Sequence, residues 1–145
     1  GGLGSPFWIT DRPPLIIGNG NTQQRFIAVI ESILFLIFSN IEIMRGANIQ
    51  LDNIVISGGI AALDAVCQRL ADLTQIPVSR PDNLEATARG VAYLLTPRTE
   101  EWQTTARVFT PKNNLNLITR YHHWRAALEN YIVGQTTSRT GTDPA

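Results

Sequence analysis

Three consecutive β-branched residues, Ile54-Val55-Ile56, run directly into Ser57-Gly58-Gly59 and then into a helical pattern that opens at Ala61. An apolar run without polar alternation is what a buried parallel strand requires, because helices cover both of its faces. The glycine pair lets the chain turn tightly and lets backbone come close to a neighbouring group. The helix behind it presents unpaired N–H groups and the positive end of its dipole. A strand–glycine–helix unit of this kind predicts an α/β layer architecture. Taken alone, the turn has two readings, a nucleotide seat and a tight connection with no ligand, of which the second is plainer. It is not a Walker A loop, since no Gly-Lys-Ser/Thr follows, and it is not a G-x-G-x-x-G fingerprint.

The flanking segments extend the same alternation. Leu15-Ile16-Ile17, closed by Gly18-Asn19-Gly20, predicts a strand and a turn. Thr22 can cap the next helix, which is apolar nearly all round from Phe26 to Met44 and is therefore expected between layers. Its most apolar stretch, Phe26 to Phe38, is too short to span a bilayer and contains Glu31. The helix from Ala61 to Thr74 places Leu63, Val66, Cys67, Leu70 and Thr74 at helical spacing. Asp64, Gln68 and Asp72, at i, i+4 and i+8, lie on its other, exposed face.

Pro77 to Arg80 predicts a second short strand, and Glu85 to Leu95 a helix that Pro97 stops. Gly90 inside that helix costs about 1 kcal/mol relative to Ala, so close approach of a neighbouring backbone is expected there. Trp102 to Pro111 reads as a connector. Asn114 to Tyr131 predicts a last helix, with Leu117, Ile118, Tyr121, Trp124, Leu128 and Tyr131 on one face. Residues 133–145, rich in Thr, Gly and Ser, predict a disordered tail, leaving 1–132 as a single domain. About three short strands with flanking helices is thin for a sheet. Its apolar faces would stay bare unless a missing segment or a second copy of the chain covers them.

Composition excludes some partners. Twelve Lys and Arg balance twelve Asp and Glu, so there is no charge footprint for nucleic acid or a membrane surface. The single cysteine, Cys67, cannot form an internal disulfide, which points to a reducing, cytoplasmic setting. The opening Gly1-Gly2-Leu3-Gly4 has no signal-peptide pattern and reads as a truncation point.

Several conspicuous residues have plain explanations. Cys67 is a small core residue. His122 and His123 are adjacent, point to different sides of a helix and belong on the surface. Glu31 is expected to bond a nearby backbone or hydroxyl group. Trp8, Trp102 and Trp124 are expected as packing anchors, and Asp82, Glu85 and Arg89 as turn and helix-end charges.

Four stretches, in order, resemble one family. They are Gly2-Leu3-Gly4-Ser5-Pro6-Phe7-Trp8, Ala28 to Ile33, Ile56-Ser57-Gly58-Gly59-Ile60-Ala61 and Glu85 to Leu94 with the preceding Arg80-Pro81. Tyr121-His122-His123-Trp124 adds a similar closing helix. Together they look like the C-terminal domain of the FGGY carbohydrate kinases, the group that holds glycerol kinase, xylulokinase, ribulokinase and gluconate kinase. The resemblance implies part of an actin-like ATPase (ribonuclease H-like) domain in an enzyme that phosphorylates a sugar or polyol with ATP and Mg2+. It assigns Gly58 and Gly59 to the adenosine of ATP. Glycerol kinases place an asparagine four residues after the second glycine; here Leu63 stands at that position and Asp64 beside it. Asp64 is the candidate polar contact to the nucleotide, with an ordinary solvated acid as the plainer reading.

The resemblance also implies that the aspartate base, both phosphate loops and the sugar contacts belong to the family's upstream, N-terminal part. No catalytic residue is expected in this chain, which would contribute the nucleotide side of a cleft without transferring a phosphoryl group alone. A non-enzymatic nucleotide-binding or polymerising protein of the actin-like superfamily, or an interaction module without ligand, are the alternatives.

Overall fold

The structure, a computed structural model, describes residues 4–10, 12–95 and 105–140 of the chain. The chain forms two compact units, Gly1–Asn113 and Asn114–Ala145. In the first unit the elements are α1 (Thr22–Gly46), β1 (Ile54–Val55), a 3-10 turn (Gly59–Ala62), α2 (Asp64–Thr74), β2 (Val78–Pro81), α3 (Ala86–Leu95) and β3 (Ala106–Phe109). The second unit is α4 (Leu115–Thr140).

The three strands form one mixed sheet in the order β1-β2-β3. β1 pairs parallel with β2, Ile54 opposite Val78, and β2 pairs antiparallel with β3, Val78 opposite Phe109. The expected α/β architecture with three short strands is present, but the strands are not all those anticipated. Leu15-Ile16-Ile17 is not a strand. It follows Pro13-Pro14, which cannot donate backbone hydrogen bonds, and Leu15 and Ile17 are 64% and 68% exposed. The third strand is β3, inside the stretch read as a connector. β1 is only two residues long and leaves Val55 exposed, so it is an edge rather than a strand covered on both faces.

α1 is capped by Asn21, one residue before the expected Thr22. The Asn21 side chain accepts from the Gln24 backbone N–H at 3.0 Å, and the Gln24 side chain accepts from the Asn21 N–H at 2.9 Å. That reciprocal pair satisfies two orphan donors of the first turn. Only one face of α1 is buried, through Glu31, Leu34, Phe35, Ser39 and Ile41, while Phe26, Ile27, Val29 and Ile33 are exposed. At 25 residues α1 is long and apolar enough to cross a membrane by length and composition, contrary to the shorter span read from Phe26–Phe38. Its Glu31 is almost wholly buried and meets the Arg69 guanidinium, Nε at 3.3 Å, a partner not expected from the sequence.

The core of the first unit joins Leu34 of α1, Val66, Cys67, Leu70 and Ala71 of α2, Val78 of β2 and Phe109 of β3. Ile30, Ile37, Ile54, Ile56 and Ile60 pack around it. α2 meets α1 on one side and β2 and β3 on the other. Burying side chains of this size stabilises by about 1.5–3 kcal/mol each. α2 ends at Gln75, whose left-handed backbone (φ 55°) lets its N–H return to the Ala71 carbonyl, a common way to close a helix.

α3 departs from expectation. None of its residues is buried, and a Cβ added at Gly90 would meet nothing within 4 Å, so no neighbouring backbone explains that glycine. Pro97, read as its stop, lies outside the described residues, as do Trp102 and residues 141–145. The loop before α1 is tied to it: Ser5 Oγ donates to Asn40 Oδ1 at 2.6 Å, and Asn40 Nδ2 donates to the Ser5 carbonyl at 3.1 Å. Trp8, in that loop, is 75% exposed and is not a packing anchor.

In the second unit, Asn114 Oδ1 accepts from the Leu117 N–H at 3.2 Å and caps α4. Tyr121 and Trp124, three residues apart, stack with ring centroids 6.1 Å apart. Leu117, Tyr121 and Leu128 of the predicted face are buried, and His122 and His123 are exposed, as the pattern predicts. α4 continues to Thr140, through residues 133–140 where the composition predicts a tail.

Candidate functional site

β1 delivers the chain to Gly58. Its φ of 88° with ψ of 175° is a conformation essentially reserved for glycine. The Gly58 N–H donates to the Leu84 carbonyl at 2.9 Å, and the Gly58 carbonyl accepts from the Ala61 N–H at 3.0 Å. Gly59 needs no unusual dihedral, since it is absent from the positive-φ glycines. A Cβ built on either glycine would meet nothing within 4 Å. Both therefore face open space, and a flat ligand could lie directly against their backbone.

The 3-10 turn hands over to α2 at Leu63, so the helix starts at Asp64 rather than at Ala61. Leu63 occupies the N-cap position without a side chain able to cap, and is half exposed. Asp64 lies at the first helical position, where a carboxylate suits the helix dipole. It is not an ordinary solvated acid. Its Oδ1 accepts from Arg80 Nη1 at 2.8 Å and its Oδ2 from Arg107 Nη1 at 2.6 Å. The Arg80 hydrogen bond, with the nearby Arg107 charge, holds the Asp64 carboxyl below the usual aspartate range, against a smaller opposing effect of burial.

Arg80 and Arg107 were not legible as site residues. Their guanidinium carbons lie 5.3 Å and 4.9 Å from the centre of the Phe109 ring, within range of a cation–π contact. The one signal for Arg80 in the sequence is a charged residue inside a short strand beside a proline.

Asp64, Gln68 and Asp72 do form one stripe; Asp64 is half exposed, as expected, and the other two reach the segment around β3. Gln68 donates to the Thr110 carbonyl at 2.9 Å, and Asp72 Oδ1 accepts from the Lys112 N–H at 2.9 Å. Asp72 is accordingly buried. Cys67 is a buried core thiol that donates to the Ala61 carbonyl at 3.3 Å, and burial pushes its pKa up. Such a thiol stays protonated at neutral pH and is a poor nucleophile.

Among the described residues no group of three or more His, Cys, Asp or Glu side chains could hold a metal ion. A surface hollow lined by Arg45, Asn48, Ile49, Gln50, Leu51 and Asp52 contains none of the residues singled out from the sequence. Gly58, Gly59 and Asp64 are thus brought into one continuous segment, with Asp64 turned to the two arginines.

Comparison with known proteins locates this segment. Residues 1–96 match the model of the FGGY family of carbohydrate kinases, C-terminal domain. The chain is 30% identical over 141 residues to a glycerol kinase of Shewanella piezotolerans, covering 88% of this chain and 29% of that protein. It is 37% identical over 97 residues to glycerol kinase 1 of Clostridium tetani, covering 64% of this chain and 20% of that protein. A glycerol kinase of Brucella ovis is 36% identical over 107 residues, with 70% of this chain and 22% of that protein covered. The chain therefore spans less than a third of the length of these relatives.

Proposed function

The chain belongs to the FGGY family of carbohydrate kinases, matching that family's C-terminal domain, and from this premise we propose that it supplies the adenosine side of the cleft in an ATP-dependent sugar or polyol kinase. One observation carries the proposal. Gly58 and Gly59 form a sharp turn between β1 and α2 whose Cα positions face open space. Backbone of that kind accepts the flat face and ribose of adenosine without side-chain obstruction. Asp64 stands at the edge of the turn, in the pair of arginine contacts described above.

The rest of the machinery is assigned to the remainder of a longer protein. In this proposal the Mg2+ that accompanies ATP would be held by phosphate oxygens and by residues of the remaining part of the protein. The base that accepts the hydroxyl proton and the loops that hold the phosphates also lie elsewhere in this proposal, and the chain alone binds without transferring. Closure of the two parts over both substrates would exclude water from the reacting phosphate. The relatives' names make glycerol the first acceptor to try, with ketopentoses second. A reducing, cytoplasmic setting goes with the one buried thiol.

The test is an acceptor panel (glycerol, xylulose, ribulose, gluconate) with MgATP, run on the full-length protein and on residues 1–145. ADP formation dependent on one acceptor, in the longer protein only, is the expected result. Acceptor-dependent turnover by residues 1–145 would place the base inside this chain and refute the division of labour. No acceptor-dependent turnover in the longer protein would refute the kinase reading.

A further inference from the structure

The junction between the glycine turn and α2 is held from the sheet, chiefly by one arginine. Arg80, on β2, is well shielded, its side chain 17% exposed. Its Nη1 lies 3.0 Å from the Ala61 carbonyl oxygen, 3.2 Å from that of Ala62 and 2.8 Å from Asp64 Oδ1. These acceptors are the last carbonyls of the 3-10 turn and the first side chain of α2. Terminal carbonyls of a helical turn need partners outside it, and Arg80 gives two of them a donor from the sheet.

The clamp is itself braced. Arg107 on β3 takes the second oxygen of Asp64, and the Phe109 ring lies beneath both guanidinium groups. The Cys67 thiol donates to the same Ala61 carbonyl as Arg80. On the other side of the turn, the Gly58 N–H is fixed to the Leu84 carbonyl. The glycine turn is thus pinned at both ends, with Gly59 and its open face between the pins.

We propose that Arg80 is a positioning residue for the nucleotide turn: through Ala61, Ala62 and Asp64 it sets the direction in which Gly58 and Gly59 present their backbone to adenosine. This rests on the reading of the glycine turn as the nucleotide side. Arg80 does not touch the nucleotide, and Asp64 acts as the joint between two guanidinium groups rather than as a ligand contact. All three contacts converge on one nitrogen, Nη1, whose two hydrogens the acceptors share; a lysine ammonium would keep the charge but lose the guanidinium plane that lies over Phe109.

The experiment is equilibrium titration of the full-length protein with ATP, by calorimetry, for wild type, Arg80→Ala, Arg80→Lys and Gly59→Val. It is paired with melting curves and hydrogen exchange of the peptide around residues 57–63. A tenfold change in Kd corresponds to about 1.4 kcal/mol, within reach of losing a charge-assisted contact. Arg80→Ala is expected to raise the Kd for ATP roughly 10-fold, with faster exchange confined to that peptide. Arg80→Lys, which keeps the charge but loses the guanidinium plane, is expected to recover only part of the loss.

If Gly59→Val weakens ATP binding while Arg80→Ala leaves it unchanged, the positioning role is refuted and the nucleotide turn stands. If neither variant changes the Kd, the nucleotide turn is refuted and the positioning role with it. Weakened binding accompanied by faster exchange throughout the domain would mark Arg80 as merely structural and also overturn the proposal. Should Arg80→Ala not fold, Arg80→Lys carries the test: wild-type affinity and exchange refute, and weakened affinity with local exchange supports.

Discussion

α2 and α3 are nearly the same length, 11 and 10 residues, and each carries an apolar stripe at helical spacing. α2 buries Val66, Cys67, Leu70, Ala71, Asp72, Leu73 and Thr74, whereas α3 buries nothing. Leu94 and Leu95 of α3 are each 81% exposed, and Leu70 of α2 is 1% exposed. α3 is the more apolar of the two in composition, with Ala, Val, Tyr and Leu dominating its residues. Apolar content therefore did not decide burial; neighbours did. α2 lies between α1 and the sheet, and even its polar stripe finds partners on the segment around β3. The exposed face of α3 and that of α1 are the surfaces that the remainder of a longer protein would cover in the proposed kinase.

The largest expected effect breaks the comparison directly. Leu70→Ala should cost about 2–5 kcal/mol through lost burial and a cavity, whereas Leu94→Ala on the same 145 residues should stay within about 0.5 kcal/mol. Urea denaturation measures both. The comparison sharpens if Leu94→Ala costs more than about 1 kcal/mol in the full-length protein, where α3 would be covered. Equal costs for Leu94→Ala in both contexts would leave the exposed face unexplained.

Next in size is the ion pair that α2 makes with α1. Glu31 has a side chain only 3% exposed and meets Arg69 at 3.3 Å. Arg69→Ala removes a charged hydrogen-bond donor from a buried carboxylate, at an expected cost of about 1.5–3 kcal/mol. Thr87→Ala, in the exposed first turn of α3, should cost less than about 0.5 kcal/mol. Denaturation midpoints of the two variants report the difference.

A smaller effect of opposite sign is expected at the start of α2. Leu63 has the extended backbone of an N-cap (φ −85°, ψ 108°) but no capping side chain. Leu63→Asn should stabilise by about 0.5–1 kcal/mol, seen as a raised melting temperature. No gain would show that an added side-chain acceptor finds no unsatisfied N–H in the first turn of α2.

The smallest effect is a pH dependence. The Asp64 carboxyl is held below its usual range by the Arg80 hydrogen bond and the Arg107 charge. A group with a depressed folded-state pKa stabilises above its unfolded value, near pH 4, and loses that contribution as pH falls through the folded value. Asp64→Asn should therefore lower stability slightly near pH 7, converge with wild type below about pH 4, and so flatten the acid limb of the stability curve. An acid limb of unaltered slope would show that the exposed pair contributes nothing to folding.

Local signals made part of this molecule legible and left the rest hidden. Ile54 to Gly59 announced a strand and a turn because β-branched residues and glycine act on their own backbone, and Gly58 takes the positive φ that only glycine tolerates. The α2 face was legible from spacing alone. β3 was not, because Ala106-Arg107-Val108-Phe109 becomes a strand only through antiparallel pairing with β2, some 25 residues earlier. Leu15-Ile16-Ile17 had the right residues and no partner strand among the described residues. Gly90 predicted a close backbone neighbour that the structure does not show. α4 ran on through 133–140 although Thr and Ser favour helices poorly. At the site, the glycines were visible and the clamp was not: Arg80 finds its acceptors 16 to 19 residues back, at distances no periodicity encodes.

The central claim is that the Gly58–Gly59 turn lies against the nucleotide, and Gly59→Val tests it most directly. A side chain at Gly59 meets nothing within 4 Å and needs no forbidden dihedral, so the fold should survive while the space in front of the turn fills. The measurement is calorimetric titration of ATP into the full-length protein, wild type and Gly59→Val, with melting curves run alongside. The account predicts at least a roughly 10-fold weaker ATP affinity, a loss of about 1.4 kcal/mol, with a melting temperature near that of wild type. Unchanged affinity in a folded variant would contradict it and remove this turn from the nucleotide site.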